Sequence, residues 1–225
     1  MTLRIIEGKD HSKNSFLLQS YYALRHNIFI SKRGWSLPSF GNMEIDEYDD
    51  GEAIYFLDVN CQGVIQASVR ITPSVTSSLT ADYFPHLIEN GSTGRDNHIY
   101  EATRFIIKPQ SKCRKDRKLL KVNLLKCLAK WCVKNNVIAL QTIIDAGTLS
   151  SYLQLNPWIK PLGLAHAYGG GKGVLGGGEC MAIHWPANEE VIDFLSKHEN
   201  KDKTKIMRPV PQVIKNQTTE AHVLN

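Results

Sequence analysis

Ile99-Tyr100-Glu101-Ala102-Thr103-Arg104-Phe105-Ile106-Ile107, followed by Lys115–Lys134 and then Val137–Ile144, is the run that decides the fold. Its first segment is rich in β-branched and aromatic residues and is stopped by Pro109, so it reads as a strand. The second places Leu119, Val122, Leu125, Leu128 and Ala129 inward as an amphipathic helix. The third is mostly apolar, with Gln141 and Thr142 inside it, and reads as a buried strand. A strand–helix–strand run of this kind favours a right-handed crossover between two parallel strands.

Toward the N-terminus, residues 3–7 read as a short strand and Ser15–Lys32 as a helix. That helix carries two stripes, Leu17, Tyr21, Leu24, Ile28 and Leu18, Tyr22, Arg25, Phe29, and Gly34 marks its end. Trp35–Gly51 reads as a loop. Ile54–Val59 and Val64–Ile71 form a hairpin across Asn60-Cys61-Gln62-Gly63. Residues 72–97 are polar, broken by the apolar piece Tyr83–Ile88. Toward the C-terminus, Thr148–Leu155 reads as a short helix, Cys180–Trp185 as a last strand and Glu189–Lys197 as a last helix. Residues 200–225 are polar without periodicity, so a disordered tail is expected after a domain spanning 1–199. The fold class is α/β: one domain built on a mixed sheet of about seven strands, with helices on both faces.

The 225 residues are 42% hydrophobic, enough for a full core. No apolar run nears the roughly 18 residues of a membrane span, and the N-terminus lacks a signal-peptide pattern. A cytoplasmic protein without a membrane partner is expected. The five cysteines are odd in number and lack a C-x-x-C pair, which points to reduced thiols and no metal site. Charge is +5 and unevenly spread: Glu44, Asp46, Glu47, Asp49, Asp50 and Glu52 fall within nine residues, and Lys112, Arg114, Lys115, Arg117, Lys118 and Lys121 within ten. The basic cluster opens a helix, which fits an anionic partner or a solvated helix start. It lacks interleaved aromatics, so a nucleic-acid surface is not expected. Gly171-Lys172-Gly173-Val174-Leu175-Gly176 matches G-x-G-x-x-G but precedes a strand, which fits a flexible loop better than a dinucleotide site.

Leu24-Arg25-His26-Asn27-Ile28-Phe29, then Trp35, Glu44-Ile45-Asp46-Glu47-Tyr48-Asp49, Ala67-Ser68-Val69-Arg70-Ile71 and Tyr100–Phe105 resemble the signature of the LuxI-type acyl-homoserine-lactone synthases. Arg25, Phe29, Trp35, Asp46, Asp49, Arg70, Glu101 and Arg104 stand in the family's order, over residues 20–110. The element order is similar to the GCN5-related acetyltransferase fold. That resemblance implies splayed central strands and a bulged Glu101 strand. It also implies acyl transfer to the amine of S-adenosylmethionine, with lactonisation and release of methylthioadenosine. S-adenosylmethionine and an acyl thioester are then substrates, and no cofactor is implied. An N-acyltransferase acting on another amine is the nearest rival.

Each position also has a physical reading. Arg25 and Phe29 lie four apart on one helix face and can line a cleft. Trp35 and Phe29 offer aromatic faces to the adenosine or the sulfonium, or simply pack in a core. Asp46 and Asp49 suit a substrate carrying an ammonium and a sulfonium. Arg70 needs a partner if buried, and Asp46, Asp49 and Glu101 are the candidates. Glu101 and Arg104 are three apart, so they share a face only if the strand bulges between them. Glu101, directly or through water, is the candidate to take the amine proton, and Arg104 the candidate to hold the methionyl carboxylate. The resemblance places Thr142 in the acyl pocket, where its hydroxyl would favour a 3-oxo chain. Lys112, Arg114, Lys115 and Lys118 are candidates to contact an acyl carrier protein or a pantetheine phosphate. The loop Gln110–Lys115 lacks the glycine that cradles a pyrophosphate in acetyltransferases.

Overall fold

The computed structural model describes residues 2–89, 94–169 and 177–206, with side chains as far as residue 198. The Gly171–Gly176 motif lies outside the described residues. The chain runs β1 (Thr2–Ile6), α1 (Ser15–Arg25), β2 (Ser39–Phe40), β3 (Met43–Glu44), β4 (Ile54–Val59), β5 (Ile65–Pro73), α2 (Leu79–Tyr83), β6 (Ile99–Ile107) and α3 (Arg114–Lys134). It continues through β7 (Ala139–Asp145), α4 (Leu149–Leu153), β8 (Lys160–Pro161), β9 (His166–Tyr168), β10 (Gly178–Pro186) and α5 (Glu189–Ile206).

The main sheet has eight strands in the order β1-β4-β5-β6-β7-β10-β8, with β9 also on β10. Every pairing is antiparallel except β6 with β7. That parallel pair is registered only from Ile99–Ala139 to Glu101–Gln141, beyond which the two strands part. The parallel pairing expected from the 99–144 run and the splay implied by the resemblance are both present.

Between β5 and β6 the register slips: Ser68 faces Ile106, yet Arg70 faces Thr103. The extra residue lies on β6, and Arg104 takes it up with a φ of 53°. Directly paired residues share a face, so Arg70, Thr72, Glu101 and Thr103 look toward α1. The bulge turns Arg104 back to that same face and leaves Ala102 and Phe105 on the other. The condition for Glu101 and Arg104 to share a face is met.

β4 is buried along its whole length because helices cover both sides of the sheet. Leu18, Tyr21 and Phe29 pack on Tyr55, Leu57 and Ile106 on one side. On the other, α3 and α5 pack on Phe56, Val69, Ile71, Leu140 and Trp185. α3 buries Leu120 and Leu124 besides the expected row, because α5 covers its flank, while Leu119 is only half-buried. α1 runs straight into a π-helical stretch, His26–Lys32, closed by Gly34 at a φ of 69°. Such wide turns are rare and recur at functional sites.

Three details differ from the sequence reading. The 35–51 loop contains the β2–β3 hairpin. β8 and β9 add two short edge strands. α5 continues to Ile206, past the Lys197 end expected for it and across the boundary placed at residue 200. No helix among the described residues is long and apolar enough to cross a membrane.

Candidate active site

The face of the sheet under α1 carries three guanidinium groups and three carboxylates in one buried network. Arg25 grips Asp49 with both terminal nitrogens, at 2.6 and 2.8 Å, and its Nε donates to Glu44. Arg70 is bidentate on Asp46, lies 2.9 Å from Asp49, and donates from Nε to Thr103 Oγ1 at 3.1 Å. Arg104 reaches Glu44 at 2.8 Å and Asp46 at 2.8 Å. Tyr55 adds a hydrogen bond to Asp49 at 2.9 Å. Burial alone would raise Asp49, but Arg70 and Arg25 hold its carboxyl well below the usual range. Glu44 behaves alike: burial opposes ionisation, and Arg25 and Arg104 more than offset it.

Five of these six were anticipated; Glu44 was not. It stood in the acidic run, and only its position between Arg25 and Arg104 separates it from its neighbours. Among the carboxylates considered for Arg70, Asp46 and Asp49 are its partners and Glu101 is not.

Phe29 and Trp35 stack at 5.4 Å and 19° at the edge of the network, with the Arg104 guanidinium 5.6 Å from the Phe29 ring. The π-helical stretch brings them together, ending in a hydrogen bond from Trp35 N–H to the Phe29 carbonyl at 3.0 Å. Phe29 is core, while Trp35 is half-buried and packs against it. On the other side, the Tyr48 ring lies 5.7 Å from Arg70. There an open hollow of about 500 Å³ is lined by Glu47, Tyr48, Thr76, Ser77, Asp82 and Tyr83.

Glu101 stands apart from the ion pairs, where β6 and β7 begin to separate. It is fully buried and accepts from Thr80 Oγ1 at 2.6 Å, Ser78 Oγ at 2.9 Å and Gln141 Nε2 at 2.9 Å. Burial without a cation partner pushes its carboxyl up, although those three donors pull the other way. Ser78, Thr80 and Gln141 were missed. Single polar residues in a polar loop or an apolar strand carry no periodic signal, and only the fold brings them to Glu101.

The opposite face of the same strands is apolar. Between β5, β6, β7, β10, α3 and α4 lies a cavity of about 40 Å³, walled by Ala102, Phe105, Leu140, Thr142, Tyr152 and Trp185 among others. Thr142 is among the residues that line this apolar space. Lys112, Arg114, Lys115 and Lys118 are exposed around the start of α3. A helix N-terminus favours acids, so this cluster is poorly explained by helix stability.

A family model described as autoinducer synthase matches residues 9–157. The chain belongs to the autoinducer synthase family. It is 26% identical over 151 residues to an isovaleryl-homoserine lactone synthase of Bradyrhizobium diazoefficiens, covering 66% of this chain and 66% of that protein, just under two thirds. It is 23% identical over 169 residues to an acyl-homoserine-lactone synthase of Aliivibrio fischeri, covering 75% and 85% of the two chains. The solved structure of BjaI, a CoA-dependent acyl-homoserine lactone synthase with SAM and isopentyl-CoA, superposes with a TM-score of 0.73 at 21% identity, covering 88% and 89%. A putative N-acetyltransferase from Lactobacillus plantarum superposes with a TM-score of 0.54 at 14% identity, covering 84% and 100%. At those identities the structures bear on the fold, which is that of the autoinducer synthases and the acetyltransferases alike.

Proposed function

We propose that this autoinducer synthase is an acyl-homoserine-lactone synthase that acylates the α-amine of S-adenosylmethionine and closes the lactone with release of methylthioadenosine. The observation that carries the reading is the sheet itself: a charged wall on one face and an apolar cavity on the other, joined where β6 and β7 part. A zwitterionic sulfonium substrate suits the first, and an acyl chain the second. Arg25, Arg70, Asp46 and Asp49 shape the polar side, with Phe29 and Trp35 against the sulfonium or adenosine. Arg104, at the bulge, takes the methionyl carboxylate.

The amine has an ordinary pKa of about 7.7–8.0, so a modest base suffices. Glu101 is that base. Since its oxygens are occupied by Ser78, Thr80 and Gln141, the proton reaches it through a hydroxyl or a water. The amine nitrogen forms its bond to the thioester carbonyl carbon, and the thiolate leaves with the C–S electron pair. Backbone N–H groups of the parted strands hold the oxyanion. The carboxylate then displaces methylthioadenosine from its own γ-carbon, a step that needs mainly geometry.

Purified protein given S-adenosylmethionine and an acyl thioester should release methylthioadenosine in equal amount to the thioester consumed. Thioester consumption without methylthioadenosine makes it an acyltransferase of another amine.

The basic start of α3 supports acyl carrier protein as the donor, with acyl-CoA the alternative. Reversing charge at Lys115 and Lys118 together should raise KM for an acyl-carrier-protein donor about tenfold or more and leave acyl-CoA nearly untouched. An equal effect on both donors means that the patch reads the pantetheine phosphate they share.

A further inference from the structure

The turn that ends the π-helical stretch brings a further guanidinium to the edge of the site. Arg33 N–H donates to the Ile28 carbonyl at 3.2 Å and Gly34 N–H to that of Ile30 at 3.0 Å, before the chain reverses into the bond from Trp35 to Phe29. The Arg33 guanidinium then lies 5.1 Å from the centre of the Trp35 ring and 5.6 Å from that of Phe29. At such distances a cation is attracted to an aromatic face. Arg25, Arg70 and Arg104 are each tied to buried carboxylates, whereas among the described residues no ion pair holds Arg33, which is exposed. Its charge also reaches β9. The Tyr168 hydroxyl is pushed up to about 12, first by its bond to Asp145, and Arg33 pulls it the other way. Arg33 is thus a cation that rests on two rings without a counter-charge to fix it there.

We propose that Arg33 is a resident stand-in for the sulfonium of S-adenosylmethionine: it occupies the Phe29–Trp35 pair in the free protein, yields it to the substrate and reclaims it from methylthioadenosine. This rests on the synthase reading above, which sets those rings against the sulfonium or adenosine, and adds how that seat is regulated. Two cations on one aromatic pair repel each other, so the substrate settles there only after Arg33 has moved. Apparent affinity is then lowered by the fraction of protein whose rings are free. The sulfonium regains the attraction that Arg33 gives up. In lactone closure the carboxylate oxygen takes the γ-carbon and the C–S electron pair stays on sulfur, leaving a neutral thioether. That product has lost its charge-dependent hold on the rings and Arg33 has not, which favours release. Arg33 takes no part in bond making.

The test is calorimetric binding of S-adenosylmethionine and of methylthioadenosine to the wild-type protein and to two variants. Arg33→Met keeps the stem and removes the charge, and Arg33→Gln keeps a polar end without charge. Both should bind both ligands about two- to fivefold more tightly, the worth of an exposed cation–ring contact. Inhibition by methylthioadenosine in the acyl-transfer assay should strengthen by the same factor. The pair of ligands separates the alternatives. If Arg33 only repels the substrate's charge from a distance, its removal tightens S-adenosylmethionine and leaves methylthioadenosine alone. If it only braces Trp35, its removal loosens both. Either result, or any other in which the two ligands do not both tighten, overturns the proposal. Arg33 is exposed, so neither substitution removes a core contact. A wild-type protein that binds neither ligand and releases no methylthioadenosine is a different outcome and overturns the synthase reading itself.

Discussion

The two faces of β5 and β6 are made from alternating residues of the same strands and could hardly differ more. Arg70 follows Val69, Glu101 precedes Ala102, Arg104 precedes Phe105 and, on β7, Gln141 precedes Thr142. One member of each pair enters the polar side and the other lines the apolar cavity. Regular pleating would put Arg104 with Ala102 in the hydrocarbon layer. The bulge at a φ of 53° prevents this, so a single backbone irregularity keeps one guanidinium out of the core and in the site. The general point is that one sheet can carry a charged network on one side and hydrocarbon on the other, with one backbone irregularity keeping the two apart.

Removing one charge from the polar face should have the largest effect. Arg70 is fully buried, and Arg70→Ala leaves Asp46 to Arg104 and Asp49 to Arg25, so three buried carboxylates share two guanidinium groups. A loss of about 3–5 kcal/mol in urea unfolding is expected. A loss under about 1 kcal/mol would mean that the network is not coupled, and the contrast between the faces would fail. Next comes the carboxylate outside the network. Glu101→Gln should slow amide formation by roughly 10²–10⁴-fold, with part of the loss recovered at higher pH as the amine sheds its proton unaided. Full activity at neutral pH would assign the proton to another group.

The two kinds of carboxylate also answer pH with opposite sign. Asp49 and Glu44 titrate below their unfolded values, so their stabilisation is present above about pH 4 and is lost as pH falls through the folded values. Glu101 titrates above its unfolded value, so its contribution is present below about pH 4 and is lost as pH rises through the folded value. The Tm of Glu101→Gln relative to wild type should therefore climb as pH is raised from 4. A difference that stays flat with pH would show Glu101 to be an unperturbed carboxyl.

Much of this was legible from one chain. Ile54–Val59 and Ile99–Ile107 appear with the bounds that apolar continuity, a turn and Pro109 had set. The parallel crossover followed from segment order. What stayed hidden has physical causes. β8 and β9 are two and three residues long, too short to show a period. α5 extends beyond its apolar rows because helical hydrogen bonds are local, and charged residues continue a helix until something stops it. Glu44 looked like any member of an acidic loop, and its partners Arg25 and Arg104 lie 19 and 60 residues away. Glu101 could be singled out from the sequence, but its cage of hydroxyls and an amide could not.

Lys121 offers the smallest and most selective test, at the rim where the charged helix start meets the apolar cavity. Its Nζ lies 3.8 Å from the centre of the Tyr152 ring and 3.5 Å from Ser151 Oγ. Burial, then Arg117, lowers its pKa to about 8. Tyr152 is pushed up to about 12 and stays neutral in the range concerned. The unfolded lysine titrates near 10.4. Below about pH 8 both states carry the charge, and the folded state bears the full cost of holding it half-buried. Between about pH 8 and 10.4 the unfolded chain binds the proton and the folded one does not, so stability from this group rises with pH. Lys121→Met keeps most of the stem over the Tyr152 ring and removes the charge. Its Tm should therefore exceed that of wild type at pH 7, by a few tenths to a few degrees, with the gain fading toward pH 10. A lower Tm at pH 7 would mean that the cation–ring contact outweighs desolvation, and a gain independent of pH would mean that the charge is not what the cavity rim resists.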